Sequence, residues 1–335
     1  MIRTLYIGLG GLGMQVISAA KKSQNYDVNS YVALDCNDYE IRYNQNIKEI
    51  PFVNMRGDKL VGDYIQIFKS RHNIEEWFPI SPYILHSTLG NIGMVRAAGR
   101  LSFLYTMESG NLKPIEDLLK EQCAFCKIED ELNIVIVTSL AGGTGSGVFI
   151  QLALWIRNQM KKIGCSNFKI LGLFVGSEVF INTYICLLNN NRQTMDLRAN
   201  TYAALKELEV ITKIMQSGDS SLLPFSISLD MLFDSSVIQE TSPVFDSIYI
   251  YDYDANEALR DSSPWEERVA KILCTRFPLL ATESTVQIQG YIDSLPELKK
   301  AYQKICNYEK QQPGDGFGPH IDKRLNGLFG DNSET

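Results

Sequence analysis

Long apolar segments are missing from this sequence, and so are the marks of a secreted protein. No run of roughly 18 or more apolar residues occurs, so we expect no membrane-spanning helix. The first residues, MIRTLYIGLGGLG, lack the basic stretch, apolar core and small-residue cleavage site of a signal peptide, and they predict a β-strand. The seven cysteines include one CxxC pair, Cys123 and Cys126, which is half of a zinc site without its second half. We therefore expect free thiols in a reducing cytoplasm.

Positive charge and histidine are also scarce. The chain has 32 Lys and Arg against 39 Asp and Glu, a net charge of −7, so it lacks the broad positive field that general nucleic-acid binding requires. A single bound nucleotide needs only a local pocket and is compatible with this charge. The three histidines, His72, His86 and His320, are isolated, so we expect no transition-metal site. No nucleophile with an adjacent base can be named.

The apolar pattern predicts an α/β fold with a doubly wound, mainly parallel sheet and helices on both faces. Residues 2–8, a glycine-rich turn, a helical stretch at 14–22 and a second apolar run at 31–35 form a βαβ unit. Further apolar runs alternate with helical stretches along the chain. We expect strands at 132–140, 168–176 and 244–252, and helices at 148–162, 191–215 and 264–277.

Two glycine-rich segments join an apolar run to a helical one, although the GxxxxGK[ST] motif of P-loop NTPases is absent. They are GLGGLG at 8–13 and AGGTGSG at 141–147. Glycine lets the backbone approach a ligand closely, and a helix start presents unpaired N–H groups to an anion. Four glycines in seven residues exceed the need of a turn, since each costs roughly 0.5–1 kcal/mol. Two such loops at the ends of parallel strands predict one phosphate ligand that bridges both.

The segment VIVTSLAGGTGSG at 135–147 resembles the phosphate-binding signature of the tubulin/FtsZ superfamily. The resemblance extends over roughly residues 2–276, because counterparts of the family's other nucleotide loops follow in order. GMVRAAGR at 93–100 and RANTYAALKEL at 198–208 place the chain nearer to divergent bacterial tubulin-like proteins than to FtsZ or tubulin. The resemblance implies GTP or GDP as ligand, with Mg²⁺ held through the nucleotide and no metal site assigned to the protein itself.

The same resemblance implies a role for each matching residue. Asp35 and Asn37 are expected near the phosphates or the metal, Arg96 is expected to offset phosphate charge, Glu178 to accept a ribose hydroxyl and Asn256 to read guanine. The remaining expected phosphate contacts come from the first, third and fourth loops: Gly10, Gly11, Gly13 and Gln15; Gly90 and Asn91; and Gly142, Gly143, Thr144, Gly145 and Ser146.

Two departures from the family pattern concern catalysis and size. In the family an acidic loop of one subunit completes the nucleotide site of the next, but here the matching stretch, LLATEST at 279–285, offers only Glu283 as the acid. Only 59 residues follow Arg276, so the C-terminal part is reduced or the chain is a fragment. We expect a nucleotide-binding domain at 1–262 with insertions near 40–86 and 216–243, a central helix and reduced C-terminal segment at 263–310, and a flexible tail at 311–335.

The expected function is a GTP-binding protein of the cytoplasm that associates head to tail, with slow GTP hydrolysis at the subunit interface. A head-to-tail contact can generate open filaments. One alternative is a nucleotide-dependent interaction or scaffold module without hydrolysis. Another is an ATP-dependent adenylating enzyme of the ubiquitin-activating type, since IGLGGLG followed by LDCND superficially resembles its loops. The adenylating-enzyme interpretation leaves AGGTGSG unexplained.

Overall fold

A six-stranded, wholly parallel sheet forms the centre of the fold in the computed structural model, with the strand order β3-β2-β1-β4-β5-β6. The structure describes residues 2–23, 29–37, 47–72, 74–78, 82–91, 93–125, 131–183, 191–217, 243–253, 263–275 and 288–311. The strands are β1 (Ile2–Leu9), β2 (Asn29–Asp35), β3 (Phe52–Asn54), β4 (Glu131–Ser139), β5 (Phe168–Val175) and β6 (Ser247–Tyr251).

Helices connect these strands and follow the last one. In the described residues they are α1 (Gly10–Ser23), α2 (Val61–His72), α3 (Ile74–Trp77), α4 (Pro82–Leu85), α5 (Arg96–Glu108), α6 (Lys113–Phe125), α7 (Thr144–Ile163), α8 (Ser177–Thr183), α9 (Asn191–Ser217), α10 (Trp265–Thr275), α11 (Ile288–Ser294) and α12 (Pro296–Gln311). A short 3₁₀ turn spans Leu89–Asn91.

The core lies on both faces of the sheet, because the central strands are buried along almost their whole length. Along β4, Ile134 and Ile136 pack on the face covered by α6, α7 and α9, whereas Val135 and Val137 pack on the face covered by α1 and α10. A parallel strand buried on both faces is expected to be continuously apolar, as ELNIVIVTS nearly is. The expected α/β fold with helices on both faces is thereby confirmed.

Close approach of backbone to backbone seats α1 on the sheet. Gly13 lies against β4, where a Cβ atom at this position would collide with the Val137 carbonyl oxygen. The helix begins at Gly10, four residues before the start expected from the sequence, and Gly10 takes a positive φ of 73°. The last glycine of the first loop, Gly13, therefore serves helix–sheet packing, which brings the start of α1 directly to the end of β1.

Three expected segments differ in the structure or lie outside it. The region 40–86, expected as an irregular insertion with some helix, supplies edge strand β3 and helices α2, α3 and α4. Its apolar residues, among them Tyr64 and Phe68, form a satellite core with α5. The expected insertion at 216–243 and the expected tail at 311–335 fall almost entirely outside the described residues.

Candidate functional site

A cleft of about 370 Å³ opens at the carboxyl ends of β1, β2 and β4. Parallel strands bring their following loops together at this edge of the sheet. The hydroxyl of Thr138 at the end of β4 donates to the carbonyl of Leu9 at the end of β1, at 3.0 Å, and ties the two strand ends together. The lining residues are Leu9, Gly10, Gly11, Leu12, Asp35, Cys36, Asn37, Leu89, Gly90, Gly93, Met94, Ser139, Gly142, Gly143, Thr144, Gly145, Phe180 and Leu197.

The glycine loop between β4 and α7 forms the floor of this cleft. Helix α7 begins at Thr144 after Gly143, and no side chain caps its first turn. The loop is instead braced from within, since Ser139 Oγ accepts from the Ala141 N–H at 3.0 Å and Ser146 Oγ donates to the Gly142 carbonyl. The uncapped N–H groups at the start of a helix attract an anion.

The first glycine loop meets the second one at the cleft. A Cβ atom at Gly10 would lie 3.5 Å from the Gly145 nitrogen, so the starts of α1 and α7 lie next to each other. Gly10 and Gly11 line the cleft, whereas the expected contacts Gly13 and Gln15 do not appear in its lining. The two helix starts therefore face one common volume, as the sequence predicts for a bridging ligand.

The end of β2 supplies the polar wall. Asp35 and Asn37 both line the cleft, and Asp35 Oδ1 accepts from the Cys36 N–H at 2.7 Å. Burial, with the adjacent Asp35 charge as a smaller cause, raises the pKa of the Cys36 thiol to about 12. This thiol is therefore neutral at physiological pH, and Asp35 is the acidic group of the wall.

A further wall is formed by the loop before α5 together with an apolar patch. Gly90 and Gly93 line it, as does Met94, which packs with Phe180 and Leu197. The backbone of Asn91 belongs to the 3₁₀ turn, and its side chain lies outside what the structure describes. The cleft thus combines a glycine floor, an acidic wall and an apolar wall.

Arg96 does not occupy the place that the resemblance implies. Its side chain is 2% exposed and lies away from the cleft lining, between α5, α7 and α9. The guanidinium pairs with Glu207 at 2.5 Å and donates to the Ser146 carbonyl at 2.9 Å. Its positive charge is therefore committed to a buried carboxylate and to the main chain of the glycine loop, which argues against direct phosphate contact.

Glu178 also has a protein partner. Arg198 donates to both of its carboxylate oxygens, at 2.7 and 2.9 Å, and Glu178 is absent from the cleft lining. Nearby, the hydroxyl of Tyr291 donates to Asp252 at the end of β6, and the Val179 N–H donates to the same carboxylate at 3.1 Å. These contacts join α8 and α11 to the sheet beside the cleft. Ser146, the last expected contact, likewise turns inward to Gly142.

Sequence reasoning missed Asn200, Glu207 and Arg198 on α9 as residues of the site's surroundings. All three lie in RANTYAALKEL, which the sequence analysis used to place the chain within a family without assigning roles. Polar residues seven positions apart on an otherwise apolar helix face are the signal that could have found Asn200 and Glu207. The expected guanine reader Asn256 and the expected acid Glu283 lie outside the described residues.

Two features are absent from the described part of the chain. None of its helices combines the length and apolar character needed to cross a membrane. In the same residues, no three His, Cys, Asp or Glu side chains gather as a metal site would require.

One family model and several solved structures are similar to this chain. A family model described as "Tubulin like" matches residues 5–308. CetZ2 from Haloferax volcanii, in a GTPγS-bound protofilament, is 15% identical with a TM-score of 0.43, over 88% of this chain and 63% of CetZ2. TubZ from Bacillus thuringiensis serovar israelensis, in a GTPγS-form protofilament, is 14% identical with a TM-score of 0.43, over 87% of this chain and 60% of TubZ. The chain thus spans less than two thirds of these structures, and no curated protein matches it.

Proposed function

The chain belongs to the tubulin-like family, and from that premise we propose that it binds a guanine nucleotide in the cleft and associates head to tail around it. The observation that carries the proposal is the meeting of two glycine-rich helix starts, those of α1 and α7, at one cleft, with no side-chain cap on α7. Aligned peptide dipoles and unpaired N–H groups at both starts attract the same anionic group. A polyphosphate is an anion long enough to contact both loops.

The charges of the cleft lining support a nucleotide that arrives with its own cation. No Lys or Arg is found among the lining residues that the structure describes, and Asp35 adds a negative charge. Amides and helix dipoles therefore share the phosphate charge with Mg²⁺, which would supply the remaining positive charge. The Asp35 carboxylate and the Asn37 side-chain oxygen are the hard oxygen groups that fit this ion.

Guanine selection is assigned to Asn256 in this proposal. An amide side chain both donates and accepts hydrogen bonds, as recognition of a purine edge requires. The apolar wall of Phe180, Leu197 and Met94 would cover the less polar part of the nucleotide. The adenylating-enzyme alternative gives the second glycine loop no task, although its glycines and the uncapped helix start that follows them suit an anion.

Titration of the purified full chain with GTP and ATP in the presence of Mg²⁺ tests the binding claim. Selective GTP binding supports it, and Asn256→Ala should then lower the preference for GTP over ATP. If ATP binds and GTP does not, Asn256 does not read guanine and the adenylating enzyme becomes the better interpretation. Binding of neither nucleotide contradicts the proposed function.

Phosphate release over a protein dilution series separates a shared active site from a non-hydrolysing module. Turnover per subunit that climbs with protein concentration supports hydrolysis at a subunit interface, where catalysis rests on positioning and electrostatics. Glu283→Ala should then abolish the concentration-dependent part. Flat or absent turnover favours the nucleotide-dependent interaction module, which the sparse acidic pattern at 279–285 also supports.

A further inference from the structure

We propose that Asn200 and Glu207 on α9 are positioning residues that hold the two cleft loops at the spacing required for phosphate binding. This inference rests on the proposed function, because it assigns α9 a task in the same site. The two side chains lie about two helical turns apart, and both are almost fully buried, at 3% and 1% exposure. Neither lines the cleft, so both act through other residues.

Asn200 joins the two loops directly. Its amide nitrogen donates to the Met94 carbonyl and to the Ala141 carbonyl, both at 2.9 Å. Met94 lies in the loop before α5, and Ala141 opens the glycine loop before α7. A side-chain amide has two N–H donors, and one goes to each loop. This single side chain therefore fixes the separation between the loop before α5 and the glycine floor of the cleft.

Glu207 connects the same two segments further along the chain, at the starts of α5 and α7. It pairs with Arg96 at 2.5 Å and with Arg100 at 3.3 Å, both on α5. Arg96 in turn donates to the Ser146 carbonyl in the first turn of α7, at 2.9 Å. The carboxylate thereby orients an arginine that connects the starts of α5 and α7.

The two loops benefit from such a connection because their closest contacts are between backbone atoms. A Cβ atom at Gly143 would collide with the Gly93 carbonyl oxygen, and one at Gly99 would lie 2.7 Å from the Gly143 carbonyl oxygen. Glycine residues let the two backbone segments approach closely, but they offer no side chains that pack against each other. A buried ion pair is a weak source of net stability compared with apolar packing, so its gain here is the fixed geometry of the loops.

The first test compares Asn200→Leu with Asn133→Leu. Leucine keeps the branched outline of asparagine, with two methyl groups in place of the amide oxygen and nitrogen. It cannot donate a hydrogen bond, so the first variant leaves the two loop carbonyls without their shared donor. Asn133 is equally buried, at 4% exposure, but lies near the start of β4, about 20 Å of strand away from the glycine loop. It therefore controls for the general effect of this substitution on the fold.

Affinity for GTP with Mg²⁺ and for inorganic tripolyphosphate is measured on the folded full chains. We expect Asn200→Leu to weaken both ligands by about ten-fold or more, since the loops contact phosphates and a lost hydrogen bond is of that size. Asn133→Leu should bind both as the wild type does, even where its melting temperature falls. Equal affinities of Asn200→Leu and the wild type overturn the inference. A wild-type chain that binds neither ligand overturns the proposed function instead.

Glu207→Gln provides a second test that does not depend on Asn200→Leu folding. Glutamine keeps the shape of the side chain but removes the charge that orients Arg96, so we expect about three-fold weaker binding of both ligands. The matched control is Glu209→Gln on the same helix, because Glu209 pairs with Lys206 and Lys213 rather than with the loops. Equal affinities of the two glutamine variants contradict a positioning role for Glu207.

Discussion

Gly142 is the residue at which the fold and the proposed ligand make different demands. A Cβ atom added there would meet no protein atom within 4 Å, and its φ is not in the left-handed region. Packing within the chain therefore tolerates alanine at this position. The residue lines the cleft, however, so an added methyl group occupies ligand space.

We predict that Gly142→Ala lowers GTP affinity by about ten-fold or more while the free energy of unfolding is unchanged or slightly higher. Gly164→Ala, at the other end of α7, is the matched control. Its φ of 79° is unfavourable for alanine, so we expect a loss of about 1 kcal/mol of stability with unaltered binding. Titration calorimetry and chemical denaturation measure the two effects. Wild-type affinity in Gly142→Ala would argue against a ligand on this loop.

Cys36 gives a second prediction at the residue scale. Its thiol is 4% exposed and its pKa is raised to about 12, chiefly by burial, so little reactive thiolate forms at pH 8. We expect iodoacetamide to modify Cys36 far more slowly than the half-buried Cys165, as measured by peptide mass spectrometry over time. Equal rates for the two thiols would show that the cleft wall opens readily.

At the scale of elements, we predict that the stability contributed by the junction of β6 with α11 depends on pH. Burial, with the nearby Glu178 as a smaller cause, raises the pKa of Asp252, although hydrogen bonds from Tyr291, Tyr253 and Val179 act in the opposite direction. The folded chain thus binds a proton here more readily than the unfolded chain. The resulting stabilisation is complete below the unfolded pKa and is lost as pH rises through the folded pKa.

Asp252→Asn removes this titration and should therefore gain stability relative to the wild type as pH rises above about 4. Urea unfolding of both proteins across pH 4–8 measures the difference. Tyr291→Phe serves as the companion variant, because it removes a hydrogen bond that lowers the Asp252 pKa. In that variant the pKa of Asp252 should rise further, so the loss of stabilisation should extend to higher pH. A stability difference between Asp252→Asn and the wild type that does not change with pH contradicts this account.

The elements themselves were predictable where the pattern was strong. The apolar run of β4 and the long helix α9 both appear where the sequence places them. The three-residue edge strand β3 gave no comparable signal, because its pairing with β2 depends on the neighbouring strand rather than on its own residues. Arg96 was misjudged for a similar reason: its partner Glu207 is 111 residues away, so only the folded chain shows where the charge goes.

At the scale of the whole molecule, the order of the glycine loops along the chain carried most of the prediction. That order was enough to predict the parallel sheet and the assembly of Gly10, Gly142 and Asp35 around one cleft. The contacts of Asn200 and Glu207 on α9 with the cleft loops were not predictable from the sequence. Hydrogen bonds to backbone carbonyls leave no recognisable motif in the residues that accept them. Asn256 and Glu283 remain proposals from the resemblance alone.

Ligand binding should stabilise the whole chain if the cleft is the nucleotide site. A ligand that binds the folded state alone adds about 2.7 kcal/mol to the free energy of unfolding at a concentration of about 100 times its Kd. We expect GTP with Mg²⁺ to raise the melting temperature of the wild type. The rise should be smaller when ATP replaces GTP. It should also be smaller when the Gly142→Ala variant replaces the wild type. Identical shifts with GTP and ATP would count against guanine selection.

Hydrogen–deuterium exchange of the full chain with and without GTP and Mg²⁺ tests the central claim most directly, because it reports both binding and its place. The account predicts slower exchange in the two glycine loops, 8–13 and 141–147, since their amides would bond to phosphate oxygens. It predicts no change at the far end of α7, around Gly164. Unaltered exchange in both loops at saturating GTP, or protection confined to another part of the chain, would contradict the account.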